Sequence, residues 1–426
     1  MTDARDPVIL RHRDLERIAL EALEMGRLLA ETGAKSSIIR GGMERVARGL
    51  GAERAHVRVG YASLSMTVAR DGITSARMTE VGPPGVNMRL NHALRDLCVR
   101  IERGGFDADA ARDARRATQA DTPRQPKALN IAAAAIACAA FGRLLGVDWA
   151  GVAPILLASA LGQTLRLFLA ARGINHYVLT AAVAFVAAAT AGLAAQAAGA
   201  GMIDTAMSAA VLMLVPGVPA MNAQTDIMEG FPTLGSARFV TVFMILLFLT
   251  VGVGAARPLV GDALAAPAVV SHGVAHQALF GALAAMGFGV LFNFGRRNLA
   301  LAGAAGALAL AVRTVGLDIG WSLPAASFLA AAAVAAAVAL LNHGWRAMQR
   351  AGETLAVAGC IPMVPGSAAA HWITGLFQLT ASGAPAPPET LFAVATFGLQ
   401  VVFTIGAIGA GLAIVSSLSR RTGFPA

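Results

Sequence analysis

Two stretches bring polar and titratable groups into an apolar setting, each just after a break. The first, VLMLVPGVPAMNAQTD at residues 211–226, meets Pro216, Gly217 and Pro219 and then supplies Asn222 and Asp226, with Glu229 three residues on. The second, GCIPMVPGSAAAHW at 359–372, meets Pro362, Pro365 and Gly366 and then supplies Ser367 and His371. Proline removes a backbone donor and glycine loosens a helix, so each break frees carbonyl and amide groups. At membrane depth such groups are tolerated only where they line a cavity or are buried in protein. Asp226 and Glu229 read either as solvated loop carboxylates or as proton-accepting or ammonium-binding groups at a cavity mouth. Charge inside a membrane is costly, at ~2.5–3.5 kcal/mol on insertion scales, and is usually functional. Asn222 lies one helical turn before Asp226 and shares its face if the helix continues that far. His371, one turn after Ser367 and beside Trp372, is placed either to relay protons or to sit among headgroups. Gln163 and Arg166 share a helix face at a spacing of three. Arg166 either holds a carboxylate in its planar fork or snorkels to the interface, and Arg313, near its own helix end, reads as snorkelling.

The elements that must hold these groups are membrane helices. The chain is 56% hydrophobic and 14% charged, with a mean hydropathy of +0.63, outside the range of a water-soluble globular protein. Residues 1–126 carry 21 of the 34 Lys+Arg and 17 of the 25 Asp+Glu, so a soluble domain precedes a lipid-embedded remainder. The net charge of +9 comes from arginines mixed with acids or set singly in short loops. That pattern is a positive-inside bias rather than a nucleic-acid surface. Cys98, Cys138 and Cys360 lie far apart and suggest neither a disulfide framework nor a metal site. The charged N-terminus lacks the apolar core of a signal peptide, and no cofactor motif is present.

Spanning ~30 Å of hydrocarbon takes ~20 apolar residues. Windows of that length fall at 128–146, 150–170, 177–199, 205–221, 236–256, 273–293, 298–317, 320–342, 352–372 and 390–418. With ten spans and both termini cytoplasmic, the inside loops and tail receive Arg166, Arg172, Arg238, Arg296, Arg297, Arg346, Arg350, Arg420 and Arg421. The outside ends receive only Arg143, Arg257 and Arg313. Ten spans divide into five and five, with Pro216-Gly217 and Pro365-Gly366 in the fourth helix of each half, 149 residues apart. Because five is odd, the halves enter the membrane in opposite directions. The expected fold is an α-helical integral membrane protein built as a 5+5 inverted repeat, a plan of secondary transporters in which paired interrupted helices mark the site. The expected boundaries are 1–126 for a cytoplasmic domain with its linker, 127–260 for the first membrane module and 261–426 for the second.

The soluble domain reads as α+β. Helices fall at 13–32, 36–50 and 88–104, and strands near 55–61, 63–70 and 74–81, with ARDGI turning between the last two strands. Residues 105–126 read as a linker or an amphipathic surface helix.

The stretches LVPGVPAMNAQTDIMEG, GFPTLGSAR, PMVPGS and GAKSSIIRGGMERVARGLGAE together resemble the threonine/serine exporter family over almost the whole chain. The resemblance implies a bacterial inner-membrane secondary exporter of small hydroxylated amino acids, driven by the proton motive force. Split, two-subunit relatives are linked to succinate export, which keeps a dicarboxylate in view. Pro216, Gly217, Asn222, Asp226, Gly230, Gly235 and Arg238 match the family's first signature, and Pro365, Gly366 and Ser367 the second. The family often places a basic residue just before the aspartate, where this chain has Thr225; if that cation pairs with substrate or with the aspartate in relatives, the partner here comes from another helix. As a donor and acceptor, Asn222 suits a hydroxylated amino acid.

No Walker loop, His-Glu-x-x-His or Gly-x-Ser-x-Gly occurs, so ATP-driven transport and membrane hydrolysis lose support. The expected partners are a small-molecule substrate, protons and the bilayer. A ligand-binding membrane sensor is the competing class. Small-residue spacing permits self-association but equally packs helices within one subunit.

Overall fold

The computed structural model describes residues 7–83, 85–260, 273–344, 352–365 and 388–419, with a few helical residues between 368 and 379. It divides into two compact units. One holds the chain up to Arg124 together with Asn222–Phe239, and the other holds Gln125–Met221 and the helices beyond Val240.

In the first unit, α1 (Pro7–Glu31) and α2 (Ser36–Gly49) cover a three-stranded antiparallel sheet of β1 (Arg54–Val59), β2 (Ser63–Arg70) and β3 (Ile73–Glu80), in that order. Asp71 and Gly72 connect β2 to β3 with φ of 50° and 76°. Both central residues of a tight hairpin turn need positive φ, which is why Asp-Gly stands there. Strand alternation sends Leu64, Met66 and Val68 of β2 into one core with Leu23 and Leu29 of α1 and Ile39 and Met43 of α2. Each such burial contributes about 1.5–3 kcal/mol. Helix α3 (Met88–Glu102), capped by the Asn87 side chain on the Leu90 N–H at 3.3 Å, closes that core with Leu94, Leu97, Cys98 and Ile101. Within 105–126 the chain forms an amphipathic helix, α4 (Ala108–Ala120), capped by Asp107. Its Arg112 and Arg115 reach the buried Glu21 at 3.0 and 3.1 Å and fix α4 against α1.

The second unit is helical and repeats itself. Helices α5 (Lys127–Leu144), α6 (Trp149–Ala171) and α7 (His176–Ala197) have 18, 23 and 22 residues. Helices α11 (Val274–Leu291), α12 (Arg296–Asp318) and α13 (Leu323–Gly344) also have 18, 23 and 22, each starting 147 residues after its counterpart. The turns agree as well, with positive φ at Gly146 and Asn293 and at Gly173 and Gly320. After α8 (Ile203–Ala210) and α14 (Gly352–Cys360) the chain tightens into 3-10 turns, Leu212–Leu214 and Ile361–Met363. Val215 (φ −66°, ψ 124°) and Val364 (φ −61°, ψ 125°) then leave the helix in the same extended conformation. The following proline excludes the helical region for each of them.

Helix α9 (Gly217–Met228) resumes after the first break, and α10 (Pro232–Val260) and α15 (Pro388–Ser419) complete the described helices. Both long helices use a glycine to approach the third helix of their set. A Cβ at Gly252 would stand 2.2 Å from the Ala181 carbonyl, and one at Gly411 2.5 Å from that of Phe328, the residue 147 positions after Ala181. This is the close backbone packing that small residues allow between membrane helices.

Among the described residues eight helices are long and apolar enough to cross a membrane. The bent pair Ile203–Leu214 and Gly217–Met228, at 61°, makes a ninth if it is one span. Ten continuous spans are therefore not observed: the expected crossing at 205–221 is broken at Pro216. The one at 352–372 passes beyond the described residues after Pro365. Cys98, Cys138 and Cys360 are free and fully buried.

Candidate functional site

The two breaks lie against each other. A side chain at Gly217 would come within 3.9 Å of Cγ2 of Ile361, in the second 3-10 turn. Met221, one turn further along α9, inserts among Ala305, Ala309, Leu310, Cys360 and Met363. Arg313 of α12 donates a hydrogen bond to the carbonyl of Met363 at 3.4 Å, beside the second break. The juxtaposition therefore joins irregular backbone from both repeats with a guanidinium.

The rest of the first signature belongs to the other unit. Asp226 has no exposed surface and accepts a hydrogen bond from the backbone N–H of Ser36 at 2.9 Å. Ser36 opens α2, whose N-terminal Lys35 supplies no side-chain cap, so Asp226 caps that helix from 190 residues away. An anion there is favoured by the free N–H groups and by the helix dipole. Arg238, from the second turn of α10, pairs with Asp226 at 2.9 Å and donates to the Ala34 carbonyl at 3.2 Å. Asn222 donates to the Gly33 carbonyl at 3.0 Å, and Lys35 meets Glu229 at 2.8 Å. Four side chains of the segment thus grip Gly33, Ala34, Lys35 and Ser36.

Local sequence brings Asp226 and Arg238 together. Gly230 (φ 89°) ends α9, with the Phe231 N–H returning to the Asp226 carbonyl at 2.7 Å, and Pro232 opens α10. Glycine after a helix and proline at the start of the next suit that reversal. Gly235 then lets α10 approach α9, since a Cβ there would lie 2.6 Å from the Ala223 carbonyl.

Asp226 is therefore not a solvated loop carboxylate, and Glu229 is half-buried and paired. Asn222 and Asp226 do share a face, because α9 runs through both. Pro216, Gly217 and Pro365 stand at the breaks, while Gly366 and Ser367 lie outside the described residues. Gln163 is buried and donates to Asn130 of α5, and Arg166 is half-buried on α6. His371 is exposed, with its ring stacked on Phe397 of α15 at 5.2 Å. Sequence reasoning missed the parts played by Gly33, Lys35 and Ser36. Their one signal was the stretch GAKSS within the family resemblance. No group of acidic, histidine or cysteine side chains among the described residues is arranged to hold a metal ion.

Two family models match the chain, one described as "Putative threonine/serine exporter" over residues 21–260 and one as "Threonine/Serine exporter, ThrE" over residues 277–418. The chain is similar to a "Probable succinate transporter subunit YjjP" of Escherichia coli (strain K12), 28% identical over 234 residues, which cover 54% of this chain and 90% of that protein. A protein of the same description from Klebsiella aerogenes is 27% identical over 228 residues, covering 53% and 87%. No solved structure matches the chain.

Proposed function

The chain belongs to the threonine/serine exporter family, and from that premise we propose that it is a secondary active exporter of small hydroxylated amino acids, threonine and serine, coupled to the proton motive force. The observation that carries this reading is the contact between two repeat-related helix breaks, Gly217 against Ile361. In inverted-repeat transporters, discontinuous helices meet at the substrate site, and their freed backbone groups receive the solute. Pro216, Gly217, Pro365, Gly366 and Ser367, with Gln163 and Arg166, make up that site in this reading.

Asn222 and Asp226 hold the cytoplasmic domain's Gly33–Ser36 turn, which supports a coupling role for Asp226. A proton on this carboxylate would discharge the pair with Arg238 and weaken the cap on α2, linking proton uptake to movement of the segment after the break. His371 and Glu229 are the alternative proton sites. The proposed location is the bacterial inner membrane with both termini cytoplasmic, on the distribution of loop arginines.

A dicarboxylate is the second reading, favoured by the names of the two relatives. Uptake of labelled threonine, serine and succinate into inverted vesicles, with and without a pH gradient, tests both. Gradient-driven uptake of threonine and serine supports the first reading, and succinate alone the second. Binding without uptake would replace transport by sensing. Asp226→Asn is expected to abolish gradient-driven transport and spare counterflow; an unchanged rate and pH dependence would move the proton site to His371 or Glu229.

A further inference from the structure

Arg166 and Arg313 stand 147 residues apart, the offset that relates α6 to α12 at both ends, so they occupy the same position in the two repeats. One turn before each, the helix packs on the broken element of its own repeat. A Cβ at Gly162 would lie 2.7 Å from Cε of Met213 in the first 3-10 turn, and Ala309 shares a core cluster with Met363 of the second. Residues four apart share a helix face; Arg313 reaches its break directly, and Arg166 holds the equivalent place on α6, where its charge also acts on His176 of α7. Both are half-buried, and among the described residues neither pairs with a carboxylate. Arg313 makes one long hydrogen bond, to the Met363 carbonyl at 3.4 Å. A guanidinium has five donors in a planar fork that matches a carboxylate. An arginine that merely snorkels would direct that fork to the interface; Arg313 directs it to the break.

Resting on the transport reading above, we propose that Arg166 and Arg313 are a repeat-related pair of carboxylate-binding residues, one toward each mouth of the path, and that the transported metabolite is recognised by its carboxylate. In the reading of five crossings per repeat, the repeats run in opposite directions and equivalent positions lie toward opposite faces. A carboxylate is common to threonine, serine and succinate, and the pair accounts for how one family accommodates either class.

The test is counterflow by the full-length chain in proteoliposomes of known orientation, using labelled threonine and succinate in parallel, each against its primary amide. The wild type is expected to prefer the carboxylate over its amide by roughly ten- to hundredfold for whichever of the two solutes it carries. Arg166→Gln should lose that preference for solute presented at the cytoplasmic side, and Arg313→Gln for solute presented at the other. Lysine at either position should restore part of it, keeping the charge without the fork. Retained movement of the amide reports an intact fold. Should a glutamine variant move neither solute, the lysine variant decides: recovered preference supports the pair, and no recovery overturns it. A wild type that transports while both glutamine variants keep its preference also overturns the pair and leaves the transport reading standing. A wild type that moves neither threonine nor succinate removes the transport reading itself.

Discussion

The two breaks are built alike and connected differently. Each passes from a short helix through a 3-10 turn to an extended valine and a proline, with dihedrals agreeing within a few degrees. Downstream the likeness ends. The position matching Asn222 is His371, stacked on Phe397, and the position matching Asp226 is Gly375, which has no charge to offer. Among the described residues, only the segment after the first break carries acids that grip the turn between α1 and α2. A duplicated backbone device thus continues, among the described residues after the first break, into a segment bonded to the turn between α1 and α2.

The comparison breaks most sharply at Asp226. Removing one partner of a buried ion pair leaves the other uncompensated, at a cost of about 3–5 kcal/mol. Asp226→Ala should therefore strip amide-exchange protection from the start of α2, and Asp226→Asn, which keeps an acceptor for the Ser36 N–H, should return part of it. Unaltered protection in Asp226→Ala would mean that the cap and pair contribute nothing.

A second, smaller effect comes with acid. Burial, and after it the Arg95 guanidinium, push His92 of α3 down to about 3 from its ordinary 6.5. The folded state then binds this proton less readily than the unfolded chain, so the stabilisation is complete above pH 6.5 and is lost as pH falls toward 3. The loss runs at about 1.4 kcal/mol per pH unit, or about 2 kcal/mol by pH 5. Exchange in α3, in the unit that contains the gripped turn, should quicken over that range, and His92→Asn should flatten the response. Equal acid sensitivity in that variant would exclude His92 as the cause.

The smallest effect is expected at Lys35 and Glu229, whose side chains keep 14% and 17% of their exposure. Glu229→Gln should cost about 1 kcal/mol and respond only weakly to salt, because a partly buried pair is screened less than an exposed one. Lys35→Gln should lose the same amount, and a clearly larger loss at Glu229 than at Lys35 would assign Glu229 a role beyond the pair.

Local features were legible in sequence because their causes are local. Asp71-Gly72 demands a hairpin, and Pro216 and Pro365 forbid a continuous helix. The match of α5–α7 with α11–α13 was hidden because alanine-rich helices vary little in hydropathy from one turn to the next, and only the Pro-Gly recurrence stood out. Asp226 was singled out as chemically important, but its cap on Ser36 and its partner Arg238 were out of reach. The first contact spans 190 residues and depends on a backbone N–H, which no side-chain pattern announces. The cation comes from α10.

The three buried thiols have a practical consequence. Cys98, Cys138 and Cys360 are fully screened from water, and burial pushes the Cys98 thiol up to about 12, where almost no reactive thiolate exists at neutral pH. The native chain should be silent toward impermeant maleimides, so single reporter cysteines need no cysteine-free background. Gly201, after α7, and Ile174, between α6 and α7, are both exposed. With both termini cytoplasmic, a cysteine at 201 should label in intact cells, and one at 174 only after the membrane is opened. The reverse pattern would invert the orientation of every helix in the chain.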